Sequence, residues 1–278
     1  PGTRFILPQP ADISRRLGGL LGQKPQVWLL PRAGGEAYRL TDYKGGVSSF
    51  EWSPDSTRLA VIASDPDPDD PGEESEKSDK TPKPIVVTRL QFKRDGAGYL
   101  NDLRDHLYVF DVAKKASAEI TSGPHDDRLP VWSPDGQSIA FVSNRTPEPD
   151  ANENTDLFVV SARAGATPRA LTTWSGADGS PAFTPDGASI VYVQGGDPKD
   201  VWYDTDDLAV VPVAGGSPRI LAPDLDRNVS NPTPTPDGAH VLFGIEDGGK
   251  AYLARVPFAG GAVERSGLAG PDHQVPIE

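Results

Sequence analysis

The 278-residue chain contains no cysteine and no methionine. Without cysteine there is no disulfide framework and no thiolate metal site, and such a chain is equally compatible with cytoplasm or periplasm, so the compartment stays open. Long apolar runs are lacking too. The longest, residues 208–214, is interrupted by Pro212 and falls far short of the roughly 18–20 residues that cross a bilayer. Positive charge is scarce: 27 Lys and Arg against 40 Asp and Glu leave a net charge of −13. That balance repels phosphate backbones and anionic headgroups, and no basic patch offsets it, so neither a nucleic-acid partner nor a membrane-surface partner is expected. The opening Pro1-Gly2-Thr3-Arg4 has neither an initiator Met nor the basic and apolar regions of a secretory signal. Together with the missing methionines, this makes a fragment or a processed chain the expectation.

Turn formers are what the chain has in excess. Glycine and proline contribute 29 residues each, about a fifth of the chain against a usual level of about 12%. Many short elements are implied, and an internal repeat organises them. Phe50-Glu51-Trp52-Ser53-Pro54-Asp55-Ser56, Val131-Trp132-Ser133-Pro134-Asp135-Gly136, Ala182-Phe183-Thr184-Pro185-Asp186-Gly187 and Thr233-Pro234-Thr235-Pro236-Asp237-Gly238 share the pattern aromatic-Ser/Thr-Pro-Asp-Gly, degraded at both ends of the series. Their prolines are 80, 51 and 51 residues apart. Proline presets φ, Asp bonds the backbone ahead of it and Gly accepts positive φ, so each copy predicts a tight turn. An apolar run follows each one, such as Ile139-Ala140-Phe141-Val142 or Ile190-Val191-Tyr192-Val193, then a third run such as Leu157-Phe158-Val159-Val160, then an Ala-Gly-Gly-type turn and a short fourth run.

Four antiparallel strands per repeat of roughly 40–50 residues predict an all-β fold, a β-propeller of four-stranded blades. The other reading weighed is a β-sandwich with chance Pro-Asp-Gly turns, and two equal 51-residue intervals argue against it. Blades are expected at about 1–43 (partial), 46–122, 128–172, 179–222 and 229–267. The propeller would thus be incomplete, with about five of a probable seven blades. An unclosed ring would leave faces and strand edges unpaired, which allows for a homo-oligomer.

Three segments carry a more specific signal: Pro84-Ile85-Val86-Val87-Thr88-Arg89-Leu90-Gln91-Phe92-Lys93-Arg94-Asp95-Gly96-Ala97-Gly98-Tyr99-Leu100, Phe141-Val142-Ser143-Asn144-Arg145, and Leu208-Ala209-Val210-Val211-Pro212-Val213-Ala214-Gly215-Gly216. Together with the blade motif they resemble the acylaminoacyl-peptidase and dipeptidyl-peptidase branch of the prolyl oligopeptidase family, over nearly the whole chain. In that family a seven-bladed propeller caps an α/β-hydrolase domain with a Ser-Asp-His triad and restricts its active site to peptides. The resemblance therefore implies a gating propeller, peptide substrates and a C-terminal α/β-hydrolase domain as partner. The chain departs from the family in having no Gly-x-Ser-x-Gly nucleophile elbow; Gly46-Val47-Ser48-Ser49-Phe50 and Gly136-Gln137-Ser138-Ile139-Ala140 both lack the closing glycine. The catalytic domain and the remaining blades are accordingly expected beyond Glu278, and no residue of this chain is assigned a catalytic role. The blade motif alone is shared with TolB-like propellers, so a stand-alone propeller that binds protein partners is the second reading.

The candidate gating residues are Arg89, Lys93, Arg94, Trp202 and Tyr203. The first three concentrate cationic charge on an expected hairpin arm that begins at Ile85, where they either pair with the acidic loop upstream or meet a substrate carboxylate or carbonyl. Trp202 and Tyr203 stand side by side in a loop that breaks the strand period, either lining a peptide channel or packing on a neighbouring blade. The insertion between the second and third strands of its blade begins Asp65-Pro66-Asp67-Pro68-Asp69-Asp70-Pro71-Gly72. Its acids mimic a calcium loop, but position 6 is Asp70 where glycine is needed, so residues 65–83 are expected to be an acidic, disordered, metal-free segment. Gly96-Ala97-Gly98 reads as a hairpin tip and not a dinucleotide fingerprint. His106, His125, His240 and His273 lie in no metal-ligand spacing and are expected at the surface. No cofactor or metal is expected.

Overall fold

The computed structural model describes residues 5–8, 24–31, 34–68, 84–95, 98–200 and 203–266. They form two compact units, Pro1–Pro130 with Arg163–Gly165, and Val131–Ala162 with Ala166–Glu278. In the first unit Phe5–Pro8, Val27–Leu30 and Tyr38–Arg39 make a three-stranded sheet, and Val47–Trp52, Arg58–Ser64, Asp105–Asp111 and Ala116–Glu119 make a four-stranded one. A second four-stranded sheet runs Asp127–Trp132, Ser138–Ser143, Asp156–Ser161, Arg169–Ala170, and the unit division falls inside its first strand. Two more follow: Asp178–Phe183, Ser189–Gln194, Asp207–Pro212, Arg219–Ile220, and then Val229–Pro234, His240–Asp247, Lys250–Pro257, Glu264–Ser266. Each sheet keeps sequence order, with antiparallel neighbours, which is the meander of a propeller blade. The all-β propeller expectation therefore holds.

The second strand of each blade explains why the sequence shows unbroken apolar runs where a half-buried strand would alternate. Residues 59–63 are all 0% exposed, as are Ile139, Ala140 and Phe141 in the next blade and Ile190, Val191 and Tyr192 in the one after. A strand inside a sheet that is covered on both faces has no polar side, so every position is apolar. Successive blades share these cores. Val142, Leu157 and Leu171 of one sheet pack with Ile190, Tyr192 and Val211 of the next, and Val191, Leu208 and Leu221 then pack with Val241, Phe243 and Val256. At about 1.5–3 kcal/mol for each large apolar side chain buried, these contacts dominate the fold. The repeated aromatic before the turn belongs to the same cores: Trp132 is buried, and Trp52 and Phe183 are partly buried against their clusters.

The Pro-Asp-Gly turns are chemically equivalent in all four copies. The hydroxyl of Ser53, Ser133, Thr184 or Thr235 lies 2.5–2.6 Å from the carboxylate two residues on and accepts the N–H of the residue five on at 2.9–3.0 Å. The carboxylates accept a further backbone N–H at 2.9–3.1 Å. These hydrogen bonds hold Asp55 down to about 2, chiefly through the Ser53 hydroxyl, and lower Asp135, Asp186 and Asp237 in the same way. The turn's last residue takes positive φ: 66° at Gly136, 71° at Gly187, 69° at Gly238, and 58° at Ser56, where the first copy lacks the glycine.

A second 51-residue series lies in the first strands. Leu129, Ser180 and Asn231 have φ of 49°, 50° and 50°, and each precedes a buried proline, Pro130, Pro181 or Pro232. The strand register slips at the latter two sites. Proline has no N–H to give to the ladder, and the chain accommodates it with a bulge.

Candidate gating surface

The insertion is anchored where it leaves and re-enters its blade. Asp65 N–H donates to Arg104 O (2.8 Å), Arg104 N–H returns a bond to Asp65 Oδ2 (3.0 Å), and Asp105 N–H donates to Asp126 Oδ1 (3.0 Å). His106 lies beside this clamp, its Nε2 3.6 Å from Asp65 Oδ1, and it is only 4% exposed. This corrects the expectation of a surface histidine: His106 faces inward from the interior of a strand, where the sheet covers it. His125 and His240 are half-buried, and His273 lies outside the described residues. So do residues 69–83, which leaves the expected disordered acidic segment largely outside the description.

Beyond the clamp, residues 84–92 form no strand, against the expectation of a hairpin arm starting at Ile85. The pairing begins later, with Lys93–Arg94 against Gly98–Tyr99. Leu100 N–H closes it on Phe92 O at 2.9 Å. Arg89 donates from Nη1 to Asn101 O at 3.0 Å, tying the bend to the returning chain. Lys93 Nζ sits 5.8 Å from the centre of the Tyr99 ring. Lys93 and Arg94 are exposed, and so are the apolar side chains around them, Val86 at 75% and Leu90 at 72%. The arm thus presents cations and apolar groups together, with little core of its own.

The second candidate region has the opposite charge. In the loop after Ser189–Gln194, Asp197 N–H bonds Asp204 Oδ2 (2.8 Å) and Lys199 N–H bonds Asp197 Oδ1 (3.0 Å). A Cβ at Gly196 would come within 2.6 Å of the Asp204 side chain, so the turn requires glycine there. Tyr203 N–H is held by Asp200 O at 2.7 Å while its ring is 95% exposed. Trp202 lies outside the described residues. Asp206 and Asp207 are raised, first by burial and then by neighbouring aspartates. Arg89, Lys93 and Arg94 therefore share one arm, and Tyr203 belongs to a separate acidic loop in the other unit. No three His, Cys, Asp or Glu side chains among the described residues group to hold a metal.

The most perturbed carboxylates were not singled out by the sequence. Burial pushes Asp156 up to about 6 and Asp178 up to about 7. Each opens a strand at a 51-residue interval from an acid in the preceding repeat, Asp105 or Asp127, and that spacing was the available signal.

The blades define a β-propeller, and solved propellers match it. Acylaminoacyl peptidase from Pyrococcus horikoshii aligns with 89% of this chain and 36% of its own at 17% identity, with a TM-score of 0.62. TolB from Acinetobacter baumannii aligns with 85% of this chain and 47% of its own at 16% identity, with a TM-score of 0.52. Sequence kinship points to peptidases. The uncharacterized peptidase YuxL of Bacillus subtilis is 32% identical over 139 residues, 50% of this chain and 21% of that protein. Dipeptidyl-peptidase 5 of Aspergillus fumigatus is 32% identical over 138 residues, 45% of this chain and 19% of that protein. The chain thus spans about a fifth of the length of these curated relatives, and no family model matches it. The resemblance to propellers of the prolyl oligopeptidase family is borne out by these named homologues and by the propeller fold.

Proposed function

We propose that the chain is the non-catalytic propeller of a serine peptidase that cleaves short peptides, acylaminoacyl- or dipeptidyl-peptidase-like, and that it governs which substrates reach an α/β-hydrolase domain elsewhere in the full-length protein. The observation that carries this reading is the 32% identity to a peptidase over half of the chain. The lack of any Gly-x-Ser-x-Gly supports a division of labour in which this part selects and another part reacts. The cationic, apolar arm with Arg89, Lys93 and Arg94 and the exposed Tyr203 with its neighbour Trp202 are the surfaces assigned to selection.

In the full-length protein, Arg89→Ala or Tyr203→Ala should change KM or the accepted peptide length and leave labelling by a small acylating active-site probe nearly unchanged. Loss of labelling in a folded variant would overturn the gating role. The second reading is a stand-alone, TolB-like propeller that binds protein partners. The exposed apolar side chains of the arm and the likeness to TolB favour it. Whether the reading frame runs on into a Gly-x-Ser-x-Gly elbow separates the two.

A further inference from the structure

Two carboxylates meet at the junction of successive blades in the second unit. Asp156 opens the third strand of one sheet, Asp156–Ser161, and Asp178 opens the first strand of the next, Asp178–Phe183. The Thr172 hydroxyl lies beside both. It accepts Leu157 N–H at 2.9 Å and has a single proton to give, which lies toward Asp156 Oδ1 at 3.2 Å. Asp178 is 0% exposed and neither of its carboxylate oxygens has a hydrogen-bond partner. Its backbone cannot carry it out to water, because its N–H donates to Thr155 O and its C=O accepts Thr155 Oγ1, both at 2.8 Å. Tyr192, from the neighbouring strand Ser189–Gln194, is fully buried and turns its hydroxyl proton to Gln194 Oε1 at 3.1 Å. The titratable groups that face Asp178 are thus Asp156 and Tyr192, neither of which supplies positive charge.

An ionised carboxylate left dry and unpartnered costs several kcal/mol, whereas the neutral acid costs far less and can donate. The repeat shows how the position is otherwise filled. One blade earlier His106, Thr121 and Asp127 occupy the same three places, with His106 4% and Asp127 1% exposed and Leu107 N–H bonding Thr121 Oγ1 at 2.8 Å. One blade later Asp207 keeps the first place, but Val229 takes the third and joins the apolar core.

We infer that Asp156 and Asp178 form a proton-binding site in which Asp178 stays a carboxylic acid beside the Asp156 carboxylate, making this blade junction a pH-sensitive lock. Release of the proton to solvent leaves two facing carboxylates and loosens the junction. The direction follows from burial, which raises both groups above 3.8 in the fold, Asp178 to about 7. The fold then favours the protonated form. Its contribution is complete below the unfolded value and is lost as pH rises through about 7. Because the two groups interact, the measured midpoints belong to the pair.

The test is unfolding of the chain, thermally and in urea, between about pH 5 and about pH 8, for the natural sequence, D178N and D178V. D178N retains a donor and cannot ionise; D178V copies the Val229 junction. The natural chain should lose about 2–4 °C or more in Tm across this range. D178N should flatten the profile and exceed the natural chain at the alkaline end. If D178V does not fold, D178N and a carboxyl-carbon NMR titration, with the Asp178 resonance assigned by its loss in D178N, still decide. Parallel pH profiles, or an Asp178 resonance titrating in the ordinary carboxylate range, would overturn the inference. Restoration of the alkaline Tm by sodium or calcium chloride at matched ionic strength would also overturn it, since a cation would then fill the proton's place.

Discussion

The second and third strands of the first four-stranded blade and the insertion between them are close in sequence and opposite in construction. Residues 59–63 are fully buried and pair directly with Asp105–Asp111. The 40 residues that separate Ser64 from Asp105 include Val86 and Leu90 at 75% and 72% exposure. The corresponding connection in the next blade, from Ser143 to Asp156, holds 12 residues. Blade geometry is therefore set by four strands and their mutual burial, and a longer loop is tolerated cheaply: each doubling of loop length costs only about 0.6 kcal/mol. What is added outside the core is free to carry another task.

The sharpest way to break this comparison is to truncate one aromatic on each side. Phe141 is 0% exposed, its ring 5.6 Å from that of Phe158, and Phe141→Ala should cost about 3–5 kcal/mol in urea unfolding. Phe92→Ala in the arm should stay within about 0.5 kcal/mol, as surface substitutions do. An equal loss at both sites would mean that the arm packs as core.

A smaller effect is expected at the repeated turn. Thr184→Val removes the hydroxyl that serves both Asp186 and Ser189 N–H, and should cost about 1–3 kcal/mol near neutral pH. The acid profile adds a sign. The turn aspartates are lowered in the fold, so their contribution is present above 3.8 and is lost as pH falls, down to about 2 for Asp55. The natural chain should thus weaken in acid through its turns and, as pH rises through about 7, through Asp178. A circular-dichroism melt showing no acid limb would contradict the shared turn chemistry.

The smallest effect is a gain. Ser56 holds φ of 58° where three other copies use glycine, so Ser56→Gly should stabilise by about 0.5–1 kcal/mol in the same urea series. A loss would mean that the Ser56 side chain contributes more than its strained backbone costs.

Much of this was legible beforehand. Ser133-Pro134-Asp135-Gly136 and its copies announced their turns because those residues act locally, through a fixed ring, a short acceptor and a missing Cβ. The candidate site was less legible. The start of pairing at Lys93, not Ile85, depends on where the returning Gly98–Tyr99 lies, and the tie from Arg89 to Asn101 depends on that same return. Nothing local marks His106 or Asp178 as buried, and their burial comes from chain that is distant in sequence.

The sequence by itself determined the blade: the strand order, the turn chemistry and the apolar second strand all follow from short-range periodicity and from residue types whose conformational preferences are intrinsic. Only the tertiary structure decided which polar groups lose their water. Thr172 and Asp178 are near in sequence, but Tyr192 closes over them from the strand beside Asp178, and desolvation is a property of that enclosure.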